Sequence, residues 1–115
     1  MSNAPGRVHI RVDGPIGWIE FDNPGRHNAM SVSMWQALPG AVDALESDPQ
    51  VRVVVLRGAG EHAFVSGADI SQFDQVRDSV EANERYESIG GAGMVRLAGC
   101  SKPTIAMLRG WCLGG

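Results

Sequence analysis

Cysteine is scarce in this chain, with only Cys100 and Cys112 present. The two fit no CxxC spacing and cannot build a disulfide-dense scaffold, so a reducing cytoplasm is the expected compartment. Long apolar runs are also missing. The longest, such as Val53 to Leu56, are far too short to span a membrane. The opening MSNAPGRVH lacks the apolar core of a secretory signal. Basic excess is absent as well: a net charge of -3 and no basic run argue against a nucleic-acid partner. His9, His27 and His62 show no metal-ligand spacing, so no metal site is expected.

What remains is an ordinary globular composition, 43% apolar and 20% charged, over 115 residues, enough for one compact domain. No internal repeat, low-complexity tract or linker divides it. Val8 to Val12 alternates apolar with polar residues, Asp13-Gly14-Pro15 signals a turn, and Ile16 to Phe21 reads as a second strand, which predicts an antiparallel hairpin. Ser31 or Ser33 can cap a helix whose inward face is Met34/Trp35, Leu38, Val42 and Leu45. Pro39-Gly40 predicts a kink in that helix or its division into two pieces. The run VRVVVLR, 51 to 57, reads as a strand buried on both faces, as in a parallel sheet. Ala63 to Val65 forms a second short run, and Ile70 to Phe73 reads as the entry to a helical segment. Gln75 to Tyr86 has helical character, weakened afterwards by Gly90, Gly91 and Gly93. Thr104 to Leu108 predicts another buried strand. The order of elements indicates an α/β chain with right-handed crossovers.

Two glycine corners follow apolar strands: Ser66-Gly67-Ala68 and Leu113-Gly114-Gly115. A strand that turns into a helix start leaves backbone N–H groups without acceptors, and these favour negative charge. Glycine lets a ligand lie directly against the backbone. If the corners face each other, two N–H groups can hold one carbonyl oxygen as an oxyanion hole. Alone, either corner is simply a turn. Gly58-Ala59-Gly60 and Gly91-Ala92-Gly93 lack the third glycine of a dinucleotide fingerprint and read as structural, which disfavours a nucleotide-dependent oxidoreductase.

The stretches AFVSGADISQF (63 to 73) and KPTIAMLRGWCLGG (102 to 115), with Asn23-Pro24, Asn28-Ala29 and the Asp48-Pro49…Val53-Val54-Val55-Leu56 strand, resemble the enoyl-CoA hydratase/isomerase (crotonase) family. The resemblance runs from about Val8 to Gly115. It implies a crotonase-like α/β spiral of β-β-α units, with residues 1–115 as the N-terminal portion of a single domain whose C-terminal remainder lies outside this chain. It implies an acyl-CoA thioester as substrate, coenzyme A as part of that substrate with no tightly bound cofactor, and a homo-oligomer, either a trimer or a dimer of trimers. On the same footing the backbone N–H groups of Ala68 and Gly115 bind the thioester oxygen and stabilise its enolate. Arg26, His27 and Ala29 would contact coenzyme A, Ser66, Gly67, Asp69 and Ile70 would line its nucleotide and pantetheine side, and Trp111 and Leu113 the acyl or pantetheine channel.

Gly25-Arg26-His27 departs from the family loop, since His27 fills a slot that is usually aliphatic. The hydratase acids of the family follow the second corner, the first of them a glutamate three residues beyond the position of Gly115. The expected reaction is therefore hydration of a 2-enoyl-CoA, with isomerisation or other crotonase chemistry, or non-catalytic thioester binding, as alternatives. Asp69 is expected to cap a helix or tie down its loop. Cys112 reads as a small buried thiol, Trp111 as packing, and Glu81, Glu84 and Glu87 as a solvated helix face.

Overall fold

The computed structural model describes residues 6–23, 25–67 and 80–114. Strands β1 (Arg7–Asp13) and β2 (Ile16–Asp22) form the expected antiparallel hairpin, closed at Gly14 with φ +57° and at Pro15. A glycine at positive φ ahead of a proline suits a two-residue hairpin turn. Helix α1 (Val32–Glu46), strands β3 (Val53–Gly58) and β4 (Ala63–Val65), helix α2 (Val80–Ala98) and strands β5 (Thr104–Met107) and β6 (Trp111–Cys112) follow. The main sheet has the order β1-β2-β3-β5, and β3 runs parallel to both β2 and β5. β4 and β6 pair in parallel as a second, small sheet.

The core lies between the main sheet and α1. β2 alternates strictly, sending Gly17, Ile19 and Phe21 inward. α1 meets them with Met34, Trp35, Leu38, Ala41, Val42 and Leu45, a stripe at helical spacing. The Ser31 hydroxyl accepts the Met34 N–H at 3.3 Å and caps the helix. β3 buries Val54, Val55 and Leu56 in succession, as a strand covered on both faces must. On the outer face of the sheet the Arg57 guanidinium lies 4.5 Å from the Trp18 ring and its Nε donates to Glu20 at 3.0 Å.

α1 and α2 are clamped together. Arg96 donates from Nε to Asp43 at 2.6 Å and from Nη2 to Glu46 at 3.0 Å. The other Glu46 oxygen accepts the Ser101 N–H at 2.7 Å. That backbone donor first, and Arg96 second, hold the Glu46 carboxyl below the ordinary glutamate range. Lys102 Nζ donates to the carbonyls of Leu45 at 3.0 Å and Asp48 at 2.6 Å, satisfying the end of α1.

Several expectations are corrected. α1 is not divided at Pro39: one helix runs through it, with the apolar stripe anchoring the residues on both sides. α2 likewise runs unbroken through Gly90, Gly91 and Gly93. There a Cβ on Gly93 would stand 2.9 Å from Leu38 Cδ2, so glycine sets how closely α2 approaches α1. β5 is not buried: Thr104, Ile105 and Ala106 are exposed, because β5 is an edge strand whose outer side meets no element among the described residues. Cys112 and Trp111 are exposed too, and both cysteines are free. The helical entry expected over Ile70 to Phe73 lies outside the described residues. Among the described residues no helix is long and apolar enough to cross a membrane.

Candidate functional site

The site is built from a loop that main-chain pairing alone does not hold. His27 and Asn28 both adopt left-handed backbone, with φ +50° and +58°. Asparagine tolerates that region better than most residues. Buried Asn28 accepts the Asn23 N–H at 3.1 Å, and its amide nitrogen donates to the carbonyls of Ala59 and Ala63, each at 3.0 Å. Asn23 in turn donates from Nδ2 to the Ala29 carbonyl at 2.6 Å. Two side-chain amides thus fasten residues 25–29 to the turn after β3 and to β4.

The same loop is tied to the first glycine corner. Ser66 Oγ donates to the Arg26 carbonyl at 3.1 Å, and the Met30 N–H donates to the Gly67 carbonyl at 2.8 Å. Arg26, His27, Ala29, Ser66 and Gly67, which the family resemblance groups around one ligand, are therefore neighbours in space.

The second corner arrives through β6. The Trp111 N–H donates to the His62 carbonyl at 3.0 Å and the Leu113 N–H to the Val65 carbonyl at 3.1 Å, so β6 ends beside the end of β4. Gly67 has φ +122° and Gly114 φ +59°. A Cβ on Gly114 would stand 3.5 Å from the Gly67 Cα, and one on Gly67 would stand 3.4 Å from the Leu113 carbonyl oxygen. The two corners abut. Ala68, Asp69, Ile70 and Gly115, the remaining site residues named from the sequence, lie outside the described residues.

Two clefts lie in this part of the molecule, and the second of them opens at a corner. One of about 380 Å³ is lined by His27, Asn28, His62 and Asp22 together with Gly25, Ala59, Gly60 and Ala63. His62 reads in the sequence as a plain loop residue, and the hydrogen bond from Asn28 to the Ala63 carbonyl brings it near His27. An apolar one of about 360 Å³ opens at Gly114 and Cys112 and reaches in to Phe64, Leu38 and Leu56. Trp111 and Leu113 are exposed at 57% and 56%, which leaves both side chains free for contact. Among the described residues no three potential ligands gather to hold a metal. The arrangement sets two glycine corners side by side at an apolar cleft and gathers His27 and His62 in a second one.

A family model described as enoyl-CoA hydratase/isomerase matches residues 11–115. The hydroxycinnamoyl-CoA hydratase-lyase of Pseudomonas fluorescens is 33% identical, over 100% of this chain and 44% of its own. The peroxisomal Delta(3,5)-Delta(2,4)-dienoyl-CoA isomerase of Arabidopsis thaliana is 30% identical, over 94% of this chain and 42% of its own. Among solved structures, an enoyl-CoA hydratase/carnithine racemase from Magnetospirillum magneticum superposes with a TM-score of 0.90 at 34% identity, over 93% of this chain and 40% of that one. The chain thus spans less than half the length of these relatives.

Proposed function

The chain belongs to the enoyl-CoA hydratase/isomerase family and carries part of its crotonase-like α/β fold, and on that footing we propose that it supplies the thioester-oxygen site of an acyl-CoA enzyme. The abutment of Gly67 and Gly114 is the observation that carries this reading. Each glycine immediately precedes a proposed donor, Ala68 or Gly115. Two main-chain N–H groups leaving adjacent corners can converge on one carbonyl oxygen. Negative charge develops on that oxygen as the enolate forms, and donors fixed beforehand stabilise it without reorganising.

The cleft lined by His27 and His62, with Arg26 next to His27 in the chain, would take the phosphate-bearing end of coenzyme A on ring N–H and guanidinium donors, against the Asp22 carboxylate in the same wall. Asp69 and Ile70 would continue the same nucleotide and pantetheine side, and Trp111 and Leu113 would flank the channel. No tightly bound cofactor is needed, since coenzyme A arrives with the substrate. Addition of water to a 2-enoyl-CoA also needs a base for the water and an acid for the α carbon. We assign both to the part of a family chain that lies beyond the matched region, and we propose a homotrimer or a dimer of trimers for the assembled enzyme.

Double-bond isomerisation is the second reading, favoured by the dienoyl-CoA isomerase among the relatives. Both use the same oxygen site. The test is titration with crotonyl-CoA and with NAD, in the native protein and in Ala68→Pro, which deletes one N–H. Binding of crotonyl-CoA alone, weakened in the variant while its circular dichroism is kept, is the expected result. Preference for NAD, or undiminished affinity in Ala68→Pro, would overturn the proposal.

A further inference from the structure

Asn23 is a loop residue that is only 4% exposed. Its main chain is held from both sides. The N–H donates to Asn28 Oδ1 at 3.1 Å, and the carbonyl accepts the Arg26 N–H at 3.1 Å. Asn28 is itself fastened to the carbonyls of Ala59 and Ala63. The Asn23 side chain therefore leaves a fixed point, and its amide nitrogen donates to the Ala29 carbonyl at 2.6 Å.

The Ala29 carbonyl and the Met30 N–H are the two ends of one planar peptide group. That N–H donates to the Gly67 carbonyl at 2.8 Å. The Gly67 carbonyl is in turn one end of the peptide group whose other end is the Ala68 N–H. Donor follows acceptor through two peptide groups in one direction, so their dipoles add head to tail. Ala29 and Met30 are buried, and in low-dielectric surroundings bonds in such a chain strengthen one another by about 10–30% per bond. A planar trans peptide gripped at its carbonyl oxygen also has its N–H aimed, because the two point in opposite directions. The corner needs that grip. Gly67 holds φ +122°, and a Cβ there would meet one neighbour within 4 Å among the described residues, the Leu113 carbonyl oxygen at 3.4 Å. With no side chain to pack, the peptide group that follows is steered by hydrogen bonding.

We infer that Asn23 is a positioning residue for the thioester-oxygen site: through the Ala29–Met30 peptide it polarises and aims the peptide group that follows Gly67. The inference rests on the reading of Ala68 as an oxygen-binding donor. It gives the amide at position 23 a task that size alone does not set. An ionised aspartate matches asparagine in shape but offers the Ala29 carbonyl no donor.

The test compares the native protein with Asn23→Asp, using crotonyl-CoA labelled with carbon-13 at the thioester carbonyl as the probe. Hydrogen bonds to the carbonyl oxygen move that resonance downfield of its position in free solution. The native protein is expected to show the downfield shift. Asn23→Asp is expected to show a smaller one, with affinity for crotonyl-CoA about threefold to tenfold lower, as for one weakened hydrogen bond. In the free protein the Met30 amide proton should move upfield in the variant, which reports the middle bond without a ligand. Val42→Ala, a core substitution that takes no part in these bonds, controls for lost stability: it should melt lower yet leave the carbonyl shift at the native value. Should Asn23→Asp not fold, Asn23→Ala removes the same donor without a carboxylate's repulsion and carries the same expectation. A carbonyl resonance as far downfield in the variant as in the native protein would overturn the inference. So would an unmoved Met30 amide, or an equal loss of shift in Val42→Ala. No downfield shift in the native protein would instead refute the thioester reading, and the inference with it.

Discussion

Gly67 and Gly114 stand so close that a methyl group built on Gly114 would rest 3.5 Å from the Cα of Gly67. That is ordinary van der Waals distance, so space does not forbid a side chain. Backbone conformation does, because both residues hold positive φ.

The two corners should therefore answer unequally to alanine. Gly114, at φ +59°, sits in the left-handed region, where a Cβ costs about 1–2 kcal/mol. Gly67, at φ +122°, sits where a side chain is worse tolerated, at about 1–3 kcal/mol. Urea unfolding is expected to rank Gly67→Ala below Gly114→Ala, with both below the native chain. Equal midpoints for all three would refute the strained corners.

Asn28 predicts a contrast between two substitutions. Asn28→Ala abandons the Asn23 N–H and the carbonyls of Ala59 and Ala63. Each buried group left unpaired costs about 1–3 kcal/mol, so a large loss of stability is expected. Asn28→Asp keeps the acceptor for Asn23 but sets a carboxylate against two carbonyl oxygens. It should be rescued in part by lowering the pH, as its carboxyl takes up a proton and regains a donor. A thermal-denaturation series over pH checks this, and an Asp variant insensitive to pH would contradict the assigned geometry.

Two glycines of α2, two residues apart, should respond unequally to alanine. A Cβ on Gly91 meets nothing within 4 Å, so Gly91→Ala gains helix propensity, about 0.5–1 kcal/mol. A Cβ on Gly93 would stand 2.9 Å from Leu38 Cδ2 and 3.2 Å from Leu38 Cβ. Overpacking of that kind costs typically about 1–3 kcal/mol, which offsets or exceeds the same gain. A lower melting temperature in Gly93→Ala than in Gly91→Ala is the expected reading, and the reverse order would mean that α2 is not pressed against Leu38.

Glu46 gives the chain an acid-sensitive joint. Its folded carboxyl titrates below its unfolded value, chiefly through the Ser101 N–H and then Arg96. Stability from that shift is complete above the unfolded value and disappears as pH falls through the folded one. Glu46→Gln should therefore melt lower than the native chain at neutral pH and converge with it in acid. Parallel melting curves over the whole range would exclude the joint.

The hairpin, a cap at Ser31 or Ser33 and the buried β3 were legible from alternation, spacing and β-branched runs, signals that the neighbouring chain does not alter; the structure decides for Ser31. The burial of β5 was not. TIAM reads as core by composition, yet its exposure depends on what stands beside it, which four residues cannot encode. Pro39 and the glycines of α2 misled for a related reason. Local propensity argues for breaks there, but the packing of Trp35 and Leu38 overrides about 1 kcal/mol per glycine. At the site, motif spacing picked out the two corners, and pairing of β4 with β6 brings them together. The anchoring work of Asn28 went unread as such, although an asparagine in a loop ahead of a cap is the residue type that left-handed backbone favours. His62 could not be found at all without knowing that Asn28 bonds to the carbonyl of Ala63.

The fastening of the 25–29 loop also bears on how the protein can change. Asn28 grips carbonyl oxygens, and every amino acid at 59 or 63 presents one. The exposed tip at Arg26 and His27 contributes only main-chain atoms to this fastening. Side chains at the tip are accordingly decoupled from the scaffold that holds them. Substitution at 26 leaves that fastening in place, whereas at 27 the left-handed backbone limits the choice to residues that tolerate positive φ, so position 26 is the practical starting point for redesign of this rim.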